Sequence, residues 1–168
     1  RIESMKLNLR GLSDRQAWAQ AGIMLPSYDV QAVMEKSVRE PRWAHFGIGN
    51  IFRIFIGGIA DQLLEKGMMD TGITCLETYD FEVVDKIYRP YDNLGISVIL
   101  KSDGTRDQKV LGSLSEALKA TPDDDRQWER LKEVFRAPSL QIVSCTITEK
   151  GYALTGSDGE YFPFIRAD

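Results

Sequence analysis

At 168 residues the chain has the length of one domain with a sizeable core. Its 43% hydrophobic and 27% charged residues are ordinary for a soluble globular protein, and a net charge of -4 leaves no surplus of lysine and arginine to neutralise phosphates, which argues against a nucleic-acid surface. No apolar stretch approaches a membrane span, the start carries no signal-peptide pattern, and a single histidine without a C-x-x-C pair argues against a protein-built zinc site.

Residues 1–4 precede Met5, as an appended remnant or an upstream extension would. Ser13-Asp14-Arg15-Gln16 has capping-box spacing and predicts a short helix through Trp18 to Ala21. A second helix is expected from Asp29, with Val30, Val33 and Met34 on one face, ending before Pro41. Trp43 to Gly47 reads as an apolar strand. Ile51 to Lys66 then carries Phe52, Phe55, Ile56, Ile59 and Leu63 at helical spacing, with Asn50 placed to cap it and Gly67 to end it. Ile73 to Leu76 is a short buried strand ending in Glu77, and Phe81 to Tyr88 a helical turn stopped by Pro90.

Two extended stretches, Leu94 to Leu100 and Lys109 to Leu114, flank Ser102-Asp103-Gly104-Thr105, a hairpin signal. Glu116 to Lys119 reads as helical. Asp123-Asp124-Asp125 opens a helix striped by Trp128, Leu131 and Phe135, with acids at its start and Arg136 at its end as the helix dipole favours. Leu140 to Ile147 is expected as a buried strand. Cys75 and Cys145 both fall in such apolar runs and read as buried thiols of a reducing, cytoplasmic compartment. The element order argues an α/β domain with a mainly parallel sheet over residues 41–168, preceded by a helical extension over residues 1–40 that packs onto it.

Gly47-Ile48-Gly49 follows the first strand as in a dinucleotide-binding turn, yet Phe52 stands where the third glycine of G-x-G-x-x-G belongs. Gly47 allows the tight turn, Gly49 lets the backbone approach phosphates, and the helix from Asn50 presents its positive end. Gly57-Gly58 can supply the close helix–sheet approach that Phe52 denies. Arg53, in the first helical turn, can reach a phosphate or pair with a carboxylate. Glu77 ends the next strand, where a carboxylate can accept ribose hydroxyls. It lies 28 residues beyond Gly49, longer than the usual ~20. On these residues alone a ligand-free strand-to-helix turn stays open. His45, within the strand, reads as a satisfied core residue.

"HFGIGNIFR", with Gly47, Gly49 and Arg53, resembles the G-x-G-x-x-x-R turn of the long-chain mannitol dehydrogenase family, which includes mannitol 2-dehydrogenases and fructuronate and tagaturonate reductases. "SLQIVSCTITEKGY", residues 139–152, is similar to that family's strand followed by T-x-T-E-x-G-Y, and "VLGSLSEAL" to the segment after its hairpin. The resemblance implies a Rossmann-like domain, with helices on both faces of the sheet and an inserted antiparallel hairpin. It implies NAD as cofactor, held by Gly47, Ile48, Gly49, Asn50, Ile51, Phe52, Arg53, Glu77, Thr148 and Glu149. It implies hydride transfer between NAD(H) and a polyol or sugar acid. It also places the family's lysine base, with its asparagine and histidine partners, in a helical domain expected after Asp168, so no catalytic residue falls in this chain. Lys150 reads as a solvated loop residue. An S-adenosylmethionine-dependent methyltransferase is the rival enzyme class, weakened by Ala44 and His45 where an acid is usual before the first glycine. A non-enzymatic nucleotide-binding module is the third alternative.

Overall fold

A computed structural model of the chain describes residues 5–166; the ends of the expected extension and of the expected cofactor domain, residues 1–4 and 167–168, lie outside them. Asp14, rather than Ser13, caps the first helix, α1 (Arg15–Gln20), by accepting from the Ala17 N–H at 3.1 Å. Ser13 instead donates its hydroxyl back to Arg10 O. After the two-residue strand β1 (Ile23–Met24), Asp29 caps α2 (Val30–Arg39), whose buried face carries Val30, Val33, Met34 and Ser37. Strand β2 (Trp43–Phe46) leads into a helix beginning at Asn50, which widens into a π-helical turn over Phe52–Ile56 and continues as α3 (Gly57–Glu65).

That wide turn resets the helical phase. The buried row therefore runs Phe52, Ala60 and Leu64, whereas Phe55 and Ile59, expected to face the core, are 65% and 44% exposed. Of the two helix glycines, Gly57 is buried against Ser113 and Leu114, but an added Cβ would meet Leu114 at an ordinary 3.4 Å, and Gly58 faces open space. Neither glycine is demanded by close packing.

Strand β3 (Ile73–Glu77) is buried throughout. The helical turn after it extends through Pro90, since a π-helical stretch over Val84–Tyr88 passes directly into a 3-10 turn, Arg89–Tyr91. Proline at the start of that turn removes no needed N–H. β4 (Gly95–Leu100) and β5 (Arg106–Leu111) form the expected hairpin, with Gly104 at φ +82° and the Asp103 carboxylate accepting from Thr105.

Residues 116–119, expected as helix, lie in strand β6 (Leu114–Lys119). Glu, Ala, Leu and Lys favour helix, but here both faces are covered, Leu114 being 1% and Leu118 6% exposed. A strand buried on both sides shows no alternation to read. The last long helix, α4 (Asp125–Arg136), is capped by Asp124 and buries Leu131 and Val134, while Phe135 is exposed. β7 (Ile142–Cys145) is an edge strand rather than a buried one: Ile142 is 48% and Val143 51% exposed, and Cys145 is exposed too, so only Cys75 is a buried thiol. A short helix, α5 (Pro163–Arg166), ends the described chain.

The main sheet runs β6-β3-β2-β7, all parallel. From β2 the chain proceeds outward to β3 and β6 on one side, then returns to place β7 on the other. The strand order thus reverses between β2 and β7, and ligands of open α/β sheets bind beyond strand ends at such a point. The hairpin joins β1 in a second sheet, β1-β5-β4, which ties the first forty residues to the rest.

A buried carboxylate locks this junction. Asp61 on α3, 1% exposed, accepts from the Tyr28 hydroxyl, from Gly112 N–H at 3.2 Å and from Lys109 Nζ at 2.5 Å, and Lys109 also bonds Glu65 at 2.7 Å. Burial and the adjoining carboxylate push the Tyr28 hydroxyl far above an ordinary phenol, so it stays a donor. Breaking a buried ion pair from one side strands the other charge. Asp61→Ala is expected to cost about 3–5 kcal/mol in urea unfolding, and Tyr28→Phe about 1 kcal/mol. Equal, small losses for both would show that the network is solvent-screened.

Candidate functional site

At the carboxyl end of β2 the chain reverses through Gly47, whose φ is +88°. Its N–H donates to Leu76 O on β3 at 3.0 Å. A Cβ here would stand 2.7 Å from Thr146 O and 2.9 Å from Thr146 Oγ1, just past β7, so both conformation and space demand glycine. Gly49 differs. Its φ is not left-handed and a Cβ would meet nothing within 4 Å. The protein's own packing gives no reason for glycine at 49, and the space a Cβ would fill lies open beside the helix start.

The first helical hydrogen bond runs from Arg53 N–H to Gly49 O at 3.0 Å, so the preceding N–H groups of Asn50, Ile51 and Phe52 begin the helix. Asn50 does not cap it through its side chain; Oδ1 accepts instead from Arg53 Nη2 at 2.9 Å. This holds the guanidinium beside the turn, with Arg53 Nε buried and without a partner. The open helix start beside Gly49, with its unpaired N–H groups, is a setting that suits an anion.

Glu77, 8% exposed, sits tucked against this turn. One carboxylate oxygen accepts from Ile48 N–H at 3.4 Å and the other from Thr78 and Tyr79 N–H at 3.0 and 3.1 Å. The Tyr88 hydroxyl donates to Ile48 O at 2.9 Å, and burial raises its pKa well beyond the ordinary phenol. Both polar groups of Ile48 are therefore taken, and its side chain is 1% exposed. Phe52 is equally buried, stacked on His45 with ring centroids 4.0 Å apart, so only its backbone faces the turn. Ile51 is 77% exposed.

Gly47, Gly49, Asn50, Arg53 and Glu77 are thus brought together. Thr148 lies exposed beyond β7, its carbonyl accepting from Gly151 N–H, and Glu149 opens a 3-10 turn, Glu149–Tyr152. Thr146, two residues nearer, is the one that touches the turn, donating to Gly47 O at 2.8 Å. Thr146 and Tyr88 on the turn, and Ser144 against Trp43 and His45, carry no local sequence signal that links them to the site. His45 is wholly buried, with Nδ1 2.7 Å from Ser144 Oγ and Nε2 3.3 Å from Thr146 Oγ1, and burial lowers its pKa. Among the described residues, no group of three or more His, Cys, Asp or Glu could hold a metal ion, and no helix is long and apolar enough to cross a membrane.

No family model matches the chain. It is 46% identical to the D-mannonate oxidoreductase of Thermotoga maritima over 98% of this chain and 30% of that protein. With the mannitol 2-dehydrogenase of Pyrenophora tritici-repentis it shares 29% identity over 98% of this chain and 27% of that protein. The solved Pseudomonas fluorescens mannitol 2-dehydrogenase, a ternary complex with NAD and D-mannitol, superposes with a TM-score of 0.65 at 26% identity, over 94% of this chain and 30% of that one. The likeness to the mannitol dehydrogenase family therefore extends over nearly the whole chain, and the Rossmann-type fold is shared. The chain spans about 30% of the length of the curated relatives it matches.

The two glycines should part company in stability. Gly47→Ala is expected to lose at least ~2 kcal/mol, from left-handed strain and the Thr146 contact, while Gly49→Ala stays within ~0.5 kcal/mol of wild type. Thermal melts of the two variants check this.

Proposed function

We propose that this chain is the NAD-binding N-terminal part of an oxidoreductase that moves a hydride between NAD(H) and a sugar acid or polyol. The observation that carries it is Gly49, a glycine the fold does not need, beside open space at the switch point of the sheet. The 46% identity to a D-mannonate oxidoreductase, against 29% to a mannitol 2-dehydrogenase, favours mannonate over mannitol as the substrate type.

In this reading Gly47 and Gly49 keep side chains away from the pyrophosphate, and the N–H groups at the Asn50 helix start, with Arg53, oppose its charge. Asn50 orients Arg53. A carboxylate offers about four acceptor sites; Glu77 has three N–H donors on it, leaving capacity for a ribose hydroxyl. Thr148 and Glu149 border the cleft from the β7 side. NAD supplies the hydride acceptor; the residues of this chain bind and orient it. Residues 1–40 form an extension and 41–168 the cofactor domain. With Cys75 and Cys145 both free thiols, a reducing cytoplasm suits the protein. Because the family places its lysine base in a further helical domain, this stretch tested alone is expected to bind NADH weakly or not detectably and to turn nothing over.

Calorimetric titration of the full-length protein with NADH tests the site. Gly49→Val should abolish binding while leaving the melt unchanged; unaltered affinity would mean the phosphates lie elsewhere. Wild type should prefer NADH to NADPH, since a 2′-phosphate brings ~1.5–2 negative charges toward Glu77. Glu77→Gln keeps the shape and removes the charge, and should narrow that preference about tenfold. A preference unchanged in Glu77→Gln would take the residue out of the ribose site.

A further inference from the structure

The Ile48–Gly49 peptide is tethered at one end only. Its carbonyl accepts from the Tyr88 hydroxyl at 2.9 Å, across 40 positions of chain. A peptide is planar and trans, so its C=O and N–H point in opposite directions. Tyr88 is 1% exposed and packs with Ile48 and Phe52 in one core cluster. A carbonyl drawn toward that core turns the Gly49 N–H outward, to the exposed side of the turn, where a Cβ at 49 would meet nothing within 4 Å. None of the described residues accepts that N–H.

Glycine makes this orientation insecure. Turning a peptide over rotates ψ of the residue before it and φ of the residue after it by about half a turn. At 49 that carries φ toward positive values, which a side chain would resist and glycine allows. The preceding peptide has no such freedom, because Gly47 O is held by Thr146 and Ile48 N–H by Glu77. In the turned form an acceptor, Ile48 O, faces outward and the N–H faces the core. The missing side chain that opens room for a pyrophosphate thus also frees the peptide to present the wrong group to it.

We propose that Tyr88 is a positioning residue for the dinucleotide: its hydroxyl locks the Ile48–Gly49 peptide with the Gly49 N–H facing the pyrophosphate. The ligand half of this rests on the cofactor reading above. Tyr88 touches no part of the ligand and acts through Ile48. A carbonyl can only accept, so the phenol proton goes to Ile48 O, and burial keeps that proton on the hydroxyl. The ring sits among Ile48, Phe52 and Val84, so packing places its oxygen even without the hydrogen bond.

Tyr88→Phe keeps that packing and deletes one oxygen. A buried carbonyl left without a donor is unfavourable, and turning outward to water relieves it. In the full-length protein, a crystal structure of Tyr88→Phe is expected to show the Ile48–Gly49 peptide turned over or in two orientations. Titrations then compare ADP-ribose, which carries the pyrophosphate, with adenosine, which keeps a ribose for Glu77 and has no phosphate. The variant should lose about tenfold in affinity for ADP-ribose and NADH, the loss of one charge-assisted hydrogen bond, and less than about twofold for adenosine. A general loosening of the fold would weaken all three alike. Adding Gly49→Ala to Tyr88→Phe restores a steric preference for negative φ, so the peptide should return to its wild-type orientation.

A peptide that stays in place in Tyr88→Phe overturns the proposal. So does an equal loss for adenosine and ADP-ribose, or a turned peptide with unchanged affinity for ADP-ribose. Wild type that binds neither NADH nor ADP-ribose would instead overturn the cofactor reading, and a peptide turned over in Tyr88→Phe would then leave the positioning of Gly49 N–H standing without that ligand.

Discussion

The peptide groups that end β2 are held from both sides: Gly47 N–H by Leu76 O on β3, and Gly47 O by the Thr146 hydroxyl beyond β7. This double attachment fixes where the strand stops and the helix begins. It requires β2 to be central, parallel to both neighbours, and residue 47 to have no Cβ. The next peptide repeats the pattern, with Ile48 N–H on Glu77 and Ile48 O on Tyr88. Two successive peptides are thus satisfied within the protein, and the first open position on the turn is Gly49.

The glycines divide by what imposes them. Gly47 and Gly104 have positive φ, so the fold alone accounts for them. Gly49 and Gly58 have neither positive φ nor a close neighbour, so the fold demands neither, and of the two Gly49 is the one on the turn. Arg53, with an unpartnered buried Nε, sits on the same turn.

Distance from the site does not mean independence from it. The helix that starts at Asn50 continues into α3, where Asp61 gathers Tyr28, Gly112 and Lys109. The first forty residues and the hairpin are therefore anchored on the same helix whose opening turn lines the site. The wide π-helical turn between Phe52 and Ile56 reconciles the two: it lets Phe52 stack on His45 while Asp61 points at the second sheet.

Local sequence determined what local physics can enforce. Asp29 before an apolar period gave α2, Asp-Gly between extended runs gave the hairpin, and glycines with a following helix marked the turn. Glu77 at a strand end was legible for the same reason. What only the tertiary structure decided were effects of partners distant in the chain. Residues 114–119 became a strand because β3 pairs with them and α2 and α4 pack on them, against the helical propensity of residues 116–119. Phe55 and Ile59 turned outward because a π-helical turn shifted the phase. β7 lies exposed at an edge, which its apolar composition could not reveal. Thr146 and Tyr88 reach the turn, and Ser144 reaches Trp43 and His45, across strand pairings and helix packing that span 40 to 101 positions, and no periodicity encodes contacts of that range.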